Sequence, residues 1–174
     1  MRRLFLIRHA KTEAHGARDD FERRLTERGR ADARSIAAAL AARKTLPQTL
    51  VHSGAARAKE TAEIFAAEWK RKVALRAEFG LYDASLASLL ALTRALPNDE
   101  ARVGLVGHNP GLGELAAALT GSGAALDMQR LAAKYPTGAV AVLDFSARDW
   151  GEVGRNTGTL GLYLTPAELD AGTD

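Results

Sequence analysis

The chain has 174 residues, a formal net charge of +3 and no cysteine, so disulfide bonds, thiol catalysis and cysteine-ligated zinc are excluded. Its basic residues are spread along the chain, so we expect no nucleic-acid partner, although a local positive pocket for an anion is allowed. The apolar runs are too short to cross a bilayer. We therefore expect one cytoplasmic domain over residues 1–174, with no membrane partner.

Strands and helices alternate along the sequence. Apolar runs predict strands over residues 3–7, 49–52, 73–77, 103–106, 138–145 and 160–164. Between them, helices are predicted over residues 26–43, 53–71, 85–97 and 109–121. The first residue of each predicted helix has a side chain that can cap it, namely Thr26, Ser53, Ser85 and Asn109, and Pro110 suits the first helical position of the last one.

This order of elements predicts the fold class. Strands separated by helices indicate an α/β fold, a three-layer αβα sandwich with a mostly parallel central sheet. The short link over residues 144–158 predicts that the last two strands form an antiparallel hairpin, with the final strand at an edge of the sheet. The loop over residues 10–25 and the segment over residues 121–136 are too irregular to predict, and we expect them to form the rim of any site.

Cationic and imidazole side chains follow the predicted strands. Arg8 and His9 come directly after the first strand, and His108 comes after the strand over residues 103–106. Arg57 lies in the first turn of the helix that follows the second strand. Because the carboxyl ends of parallel strands meet at one edge of a sheet, we expect these four side chains to converge. Two arginines, two histidines and helix N-termini together predict a site for a dianion.

The residue types point to phosphoryl transfer. This reaction needs positive groups around the equatorial oxygens and a nucleophile in line with the leaving group. Arg8 and Arg57 can bind the oxygens. A neutral imidazole can attack the phosphorus to form a phosphohistidine, which water then hydrolyses. The sequence has neither a magnesium-binding acidic cluster nor a His-x-x-x-His pair, so we expect no cofactor and no metal. His52 and His15 are expected to be structural and solvated, respectively.

The same residues lie in segments that resemble, in order, the motifs of the histidine phosphatase superfamily, which has the phosphoglycerate mutase-like fold. The segments are LIRHAKTE (6–13), RRLTERG (23–29), SGAARAKETAE (53–63), LYDAS (81–85), VGHNPG (106–111) and YPTGA (135–139). They cover nearly the whole chain. The short length and the LYDAS and GHNPG segments are most similar to the SixA-type phosphohistidine phosphatases.

The resemblance implies a role for each site residue. His9 is the nucleophile that forms the phosphohistidine intermediate. Arg8, Arg57 and His108 complete the catalytic and phosphate-binding pocket, and Arg23 matches an arginine that can reach the same phosphate. No metal takes part.

A general acid is not placed by the sequence. Larger relatives have a glutamate after the third strand, and here that region offers Glu78 and Asp83. Phosphohistidine leaves as an imidazole, which is easily protonated near neutral pH, so a weak acid position favours phosphohistidine on a protein as the substrate.

Two alternatives remain open. The chain could be a phosphatase for a small phosphomonoester or phosphoramidate. It could also be a non-catalytic module that binds a phosphorylated partner, although such a module has no need of the nucleophile His9.

Overall fold

The computed structural model describes residues 1–16, 18–44 and 46–172. In this part of the chain the strands are β1 (Arg2–Arg8), β2 (Thr49–His52), β3 (Ala74–Ala77), β4 (Arg102–Gly107), β5 (Thr120–Gly123), β6 (Val140–Phe145) and β7 (Gly158–Leu164). The helices are α1 (Glu27–Ala42), α2 (Ala56–Glu68), α3 (Leu86–Arg94), α4 (Gly111–Leu119), α5 (Ala125–Ala133) and α6 (Pro166–Ala171). Short 3₁₀ turns occur at Asp20–Glu22, Phe79–Leu81 and Trp150–Glu152.

The strands form one seven-stranded sheet in the order β3-β2-β4-β1-β6-β7-β5. Strand β6 is antiparallel to its neighbours β1 and β7, and the other pairs are parallel. The predicted hairpin of β6 and β7 is present, but the prediction that β7 lies at the edge is wrong, because β5 pairs with its outer side. The antiparallel strand β6 therefore lies inside the sheet.

Helices cover both faces of the sheet, which confirms the predicted three-layer α/β architecture. Strand β1 shows this directly, since its side chains alternate between the two sides. Leu4 and Leu6 belong to the core beneath α3, α4 and α5. Phe5 and Ile7 belong to the core beneath α1 and α2. All four side chains are fully buried.

Two of the four predicted helix caps form as expected. Thr26 accepts a hydrogen bond from the Gly29 amide at 3.0 Å, and Ser85 accepts one from the Ser88 amide at 3.2 Å. Ser53 does not cap α2, which begins after Ala55; its hydroxyl is instead used in a tertiary contact described below.

The start of α4 also differs from the prediction. The helix begins at Gly111, after a cis Asn109–Pro110 peptide. The Asn109 side chain still contributes, because its Oδ1 accepts from the Gly113 amide at 3.2 Å. This bond holds the residue that follows His108 against the first turn of the helix.

The segment over residues 121–136 contains more structure than its sequence indicates. It includes most of β5 and all of α5. The β5 sequence is rich in glycine, which is depleted in strands, and this explains why it was not predicted. A side chain at Gly121 would lie 2.0 Å from the Asn156 carbonyl oxygen, so the strand depends on a close approach between two backbones.

Among the helices of the described residues, none has the length and apolar character that a membrane span requires.

Candidate active site

The ends of three adjacent strands bring the predicted site residues together. Strands β2, β4 and β1 are neighbours in the sheet, and Arg8 in β1 pairs with Gly107 in β4. The next residues, His9 and His108, have ring centroids 5.1 Å apart. They lie in a cavity of about 500 Å³ that is also lined by Arg8, Arg23, Arg57, Thr12, His15, Asp20, Tyr82, Asp83, Asn109 and Thr137.

His9 is held in one orientation by its own backbone neighbour. Its Nδ1 lies 2.8 Å from the carbonyl oxygen of Ala10. Because a carbonyl oxygen only accepts, Nδ1 carries the proton and Nε2 keeps a free lone pair. Burial, with added repulsion from His108 and the nearby arginines, lowers the pKa of His9 to about 3. The imidazole is therefore neutral at ordinary pH, which is the form a nucleophile requires.

His108 is held by a serine from the neighbouring strand end. Its Nε2 lies 2.7 Å from the hydroxyl oxygen of Ser53, which is fully buried. Burial, followed by the positive charge of Arg57, lowers the pKa of His108 to about 4. The sequence did not indicate this contact, because Ser53 had an equally plausible local role as a helix cap.

Three side chains that line this cavity each carry a buried nitrogen atom with no hydrogen-bond partner among the described residues. These atoms are Nε of Arg8, Nε of Arg57 and Nδ1 of His108. Buried polar atoms are nearly always paired, because leaving one unpaired costs on the order of 1–3 kcal/mol. Two of these side chains are cationic and the third is an imidazole, so the cavity is a candidate site for an anion.

Asp20 lines the cavity and was not singled out by the sequence. Arg57 donates to it twice, from Nη1 to the carbonyl oxygen at 2.6 Å and from Nη2 to Oδ2 at 3.0 Å. Arg23 donates from Nε to Oδ1 at 3.0 Å, and the Tyr82 hydroxyl donates to Oδ2 at 2.5 Å. The Tyr82 bond, with the two arginines, holds the pKa of Asp20 well below its usual range. The carboxylate is thus an internal anion among the pocket cations.

Arg23 reaches the cavity, but the loop over residues 10–25 holds most of its guanidinium. Besides its bond to Asp20, its Nη1 donates to the Thr12 hydroxyl at 2.7 Å and to the Glu13 carbonyl at 2.9 Å. Arg8 and Arg57 differ, since each keeps a buried Nε without a partner in the described chain. Both Nη atoms of Arg57 also donate to Asp20, so the same loop holds Arg57 as well.

The structure separates the two acids that the sequence left open. Asp83 is exposed and lines the cavity. Glu78 does not line it, because its Oε1 accepts from the Gly80 amide at 3.0 Å and caps the turn at Phe79–Leu81.

The two remaining histidines also differ in placement. The Nδ1 of His52 accepts from the Gly54 amide at 3.2 Å, so His52 has a local structural contact. His15 lines the mouth of the cavity, and its exposed ring lies 3.7 Å from Asp20 Oδ1.

Comparison with known proteins agrees with this geometry. The family model of the histidine phosphatase superfamily (branch 1) matches residues 4–142. An uncharacterized protein of Mycobacterium leprae is 31% identical over 147 residues, which cover 82% of this chain and 89% of that protein.

Two solved structures extend the match to almost the whole chain. A putative phosphohistidine phosphatase SixA from Agrobacterium tumefaciens is 30% identical, with coverage of 95% of this chain and 98% of that chain and a TM-score of 0.79. Its counterpart from Nakamurella multipartitia is 26% identical, with coverage of 95% and 96% and a TM-score of 0.76. The resemblance seen in the motifs is confirmed: the chain belongs to the histidine phosphatase superfamily, in its SixA-type group, and is a phosphatase.

Proposed function

We propose that this phosphatase works through a phosphohistidine intermediate on His9 and that its substrate is phosphohistidine on a protein. The observation that carries the proposal is the convergence of Arg8, Arg57 and His108 in one cavity around the neutral imidazole of His9. A phosphoryl group supplies several oxygens for the donors and a phosphorus atom for the nucleophile.

In the first step, Nε2 of His9 attacks the phosphorus while the bond to the leaving group breaks. Arg8 and Arg57 bind the equatorial oxygens through their guanidinium groups, and His108 donates from Nδ1 while its Nε2 accepts from Ser53. A substrate imidazole leaves as a neutral ring once its departing nitrogen takes a proton from water or from Asp83, the predicted acid that lines the cavity.

In the second step, a water molecule attacks the phosphorus of phosphorylated His9. The new bond joins the water oxygen to phosphorus, and the electrons of the P–N bond return to Nε2. One water proton passes to solvent, inorganic phosphate leaves, and His9 regains its neutral form. Asp20, an ionised carboxylate hydrogen-bonded to Arg57, repels the dianionic product and favours its release.

Phosphohistidine is favoured as substrate by two considerations. The solved relatives from Agrobacterium and Nakamurella carry the name of phosphohistidine phosphatases. In addition, the Glu78 carboxylate caps a turn, so only Asp83 of the two predicted acids is available to protonate a leaving group. This favours an imidazole, which is easily protonated, over a poor leaving group. A small phosphomonoester or phosphoramidate is the alternative substrate.

The test compares His9→Ala with a second histidine variant, His52→Gln, whose residue lies outside the cavity. Without added metal, we expect His9→Ala to lose about 10³-fold or more of the turnover of an aryl phosphate and of a histidine-phosphorylated protein. His52→Gln, checked for an unchanged Tm, should keep the turnover of the aryl phosphate, because His52 does not line this cavity. Rapid quench of the wild type should also trap acid-labile, base-stable phosphate on the protein. Full activity of His9→Ala would show that His9 is not the nucleophile, and binding without turnover by the wild type would indicate a phosphate-binding module.

A further inference from the structure

An aromatic row leads out of the phosphate cavity, and it consists of Tyr82, Phe21 and Phe79. Tyr82 lines the cavity and lies edge-on to the His108 ring, with centroids 5.4 Å apart. Phe21 packs edge-to-face on Tyr82 at 5.1 Å, and Phe79 stacks on Phe21 at 6.5 Å. The first two rings are half-buried, whereas Phe79 is 67% exposed. The row therefore runs from the reacting centre to solvent.

The local sequence holds Phe79 in this exposed position. Glu78 caps the 3₁₀ turn that begins at Phe79, and Tyr82 follows that turn. On its other side, the Phe79 ring lies over the backbone of Gly54, where an added Cβ would be 2.4 Å from the ring. Gly54 also has a φ of +85°, which only glycine adopts without strain. The exposed ring is thus built into the loops that form the site.

Beyond Phe79 the row continues into an apolar groove at the edge of the sheet. The groove has a volume of about 440 Å³. Phe79, Gly54, Leu75 and Ala77 supply its apolar part, and His52, Lys59 and Glu63 supply its polar part. Leu75 is 41% exposed. Leu75 and Ala77 belong to β3, which pairs only with β2 among the described residues, so its outer edge can accept another extended backbone.

The length of this surface indicates what binds there. Two ring-to-ring steps separate Phe79 from Tyr82, so the Phe79 ring is on the order of 10 Å from the cavity. About three residues of extended chain span that distance. The leaving group of phosphoramidate, a single ammonia molecule, ends before that point. A polypeptide chain whose phosphorylated side chain enters the cavity reaches it.

We propose that the aromatic row and the β3 edge bind the polypeptide that flanks the phosphorylated residue of a protein substrate, with an apolar side chain of that segment packed on Phe79. This inference rests on the proposed function, and it identifies the part of the substrate that a small phosphate ester lacks. A peptide substrate is favoured over a second copy of this chain because the row begins inside the phosphate cavity and is continuous with it.

The experiment compares a histidine-phosphorylated protein with phosphoramidate, which presents the P–N bond without any flanking chain. Phe79→Ala should raise KM for the protein by about tenfold with little change in kcat, and it should leave kcat/KM for phosphoramidate unchanged. Phe79→Leu should restore much of the loss. The matched control is Leu126→Ala, because Leu126 is 66% exposed but lies on α5.

A binding measurement separates this inference from the proposed function. Phe79→Ala introduced into the His9→Ala variant should weaken binding of the phosphorylated protein by about tenfold, whether or not the wild type turns that protein over. The inference is overturned if Phe79→Ala leaves protein binding unchanged, if it affects both substrates equally, or if its main effect is to dissociate a dimer of this chain in sedimentation.

Discussion

The contact between Asp20 and the pocket arginines gives a prediction that distinguishes two roles of this carboxylate. Loss of a purely structural contact should weaken the binding of a dianion, whereas loss of a competing negative charge should strengthen it. Replacing Asp20 by Asn keeps an oxygen that accepts from an arginine and from Tyr82, and it keeps the carbonyl that binds Arg57 Nη1. It removes one negative charge. If Asp20 acts as an internal competitor of phosphate, the variant will bind a phosphate-like dianion more tightly.

The size of the effect follows from the geometry. Asp20 lies 3.0 Å from Arg57 Nη2, so a dianion bound on the other side of the guanidinium is about 6 Å from the carboxylate. Because the Asp20 side chain is 40% exposed, a water-like dielectric constant of about 80 applies, and the repulsion is about 1.4 kcal/mol. That energy corresponds to about a tenfold lower Kd for tungstate or inorganic phosphate.

Calorimetric titration with tungstate at low ionic strength measures this Kd directly. Asp19→Asn is the matched control, since it removes the same charge from an exposed neighbour that does not line the cavity. The gain for Asp20→Asn should shrink in high salt, because the carboxylate is partly exposed. A Kd that is unchanged or higher in Asp20→Asn would refute the reasoning, and would show that the carboxylate matters only for holding Arg23 and Arg57 in place.

Two further predictions concern pH and packing. The folded pKa values of His9 and His108, about 3 and 4, lie below the unfolded value of about 6.5. Unfolding therefore takes up protons between pH 6.5 and 4. The free energy of unfolding should fall as the pH is lowered through that window. Urea titrations over this range and the ring ¹⁵N shifts check it; rings that titrate near pH 6.5 would contradict it. Separately, Gly29→Ala would place Cβ 2.1 Å from the Lys11 carbonyl oxygen, whereas Gly151→Ala meets open space. Gly29→Ala should lower the free energy of unfolding by about 1–3 kcal/mol, and Gly151→Ala should lower it by much less. Equal Tm values for the two variants would count against the close packing of Gly29 on the Lys11 backbone.

The parts of the site that follow from strand order were predictable from the sequence. Arg8, His9 and His108 sit where apolar runs end, and parallel strands place their carboxyl ends at one edge. Arg57 follows from the same logic, because it lies in the first turn of the helix after β2. The apolar alternation of β1 likewise indicates a sheet covered on both faces, as the two cores show.

The parts that depend on how loops return to the sheet were not predictable. Asp20 contacts Arg57 across 37 residues of sequence, and no local pattern marks that pairing. Glu78 had the residue type of a general acid, but its carboxylate is used by the Gly80 amide two residues away. Such local competition for a polar side chain is decided by loop geometry, which single residues do not encode.

In the proposed mechanism, the electrostatics of the cavity give the two histidines different tasks. Burial and the positive charges of Arg8 and Arg57 keep His9 neutral, so Nε2 is ready to attack before any substrate arrives. A bound dianion offsets those positive charges, and this raises the pKa of His108 at the moment when negative charge develops on the phosphoryl oxygens. By linkage, the protonated form of His108 then binds the phosphoryl group more tightly than the neutral form does. In this mechanism the arginines keep the proposed nucleophile His9 neutral until substrate binds, and the substrate's own charge prepares His108 to stabilise the transition state.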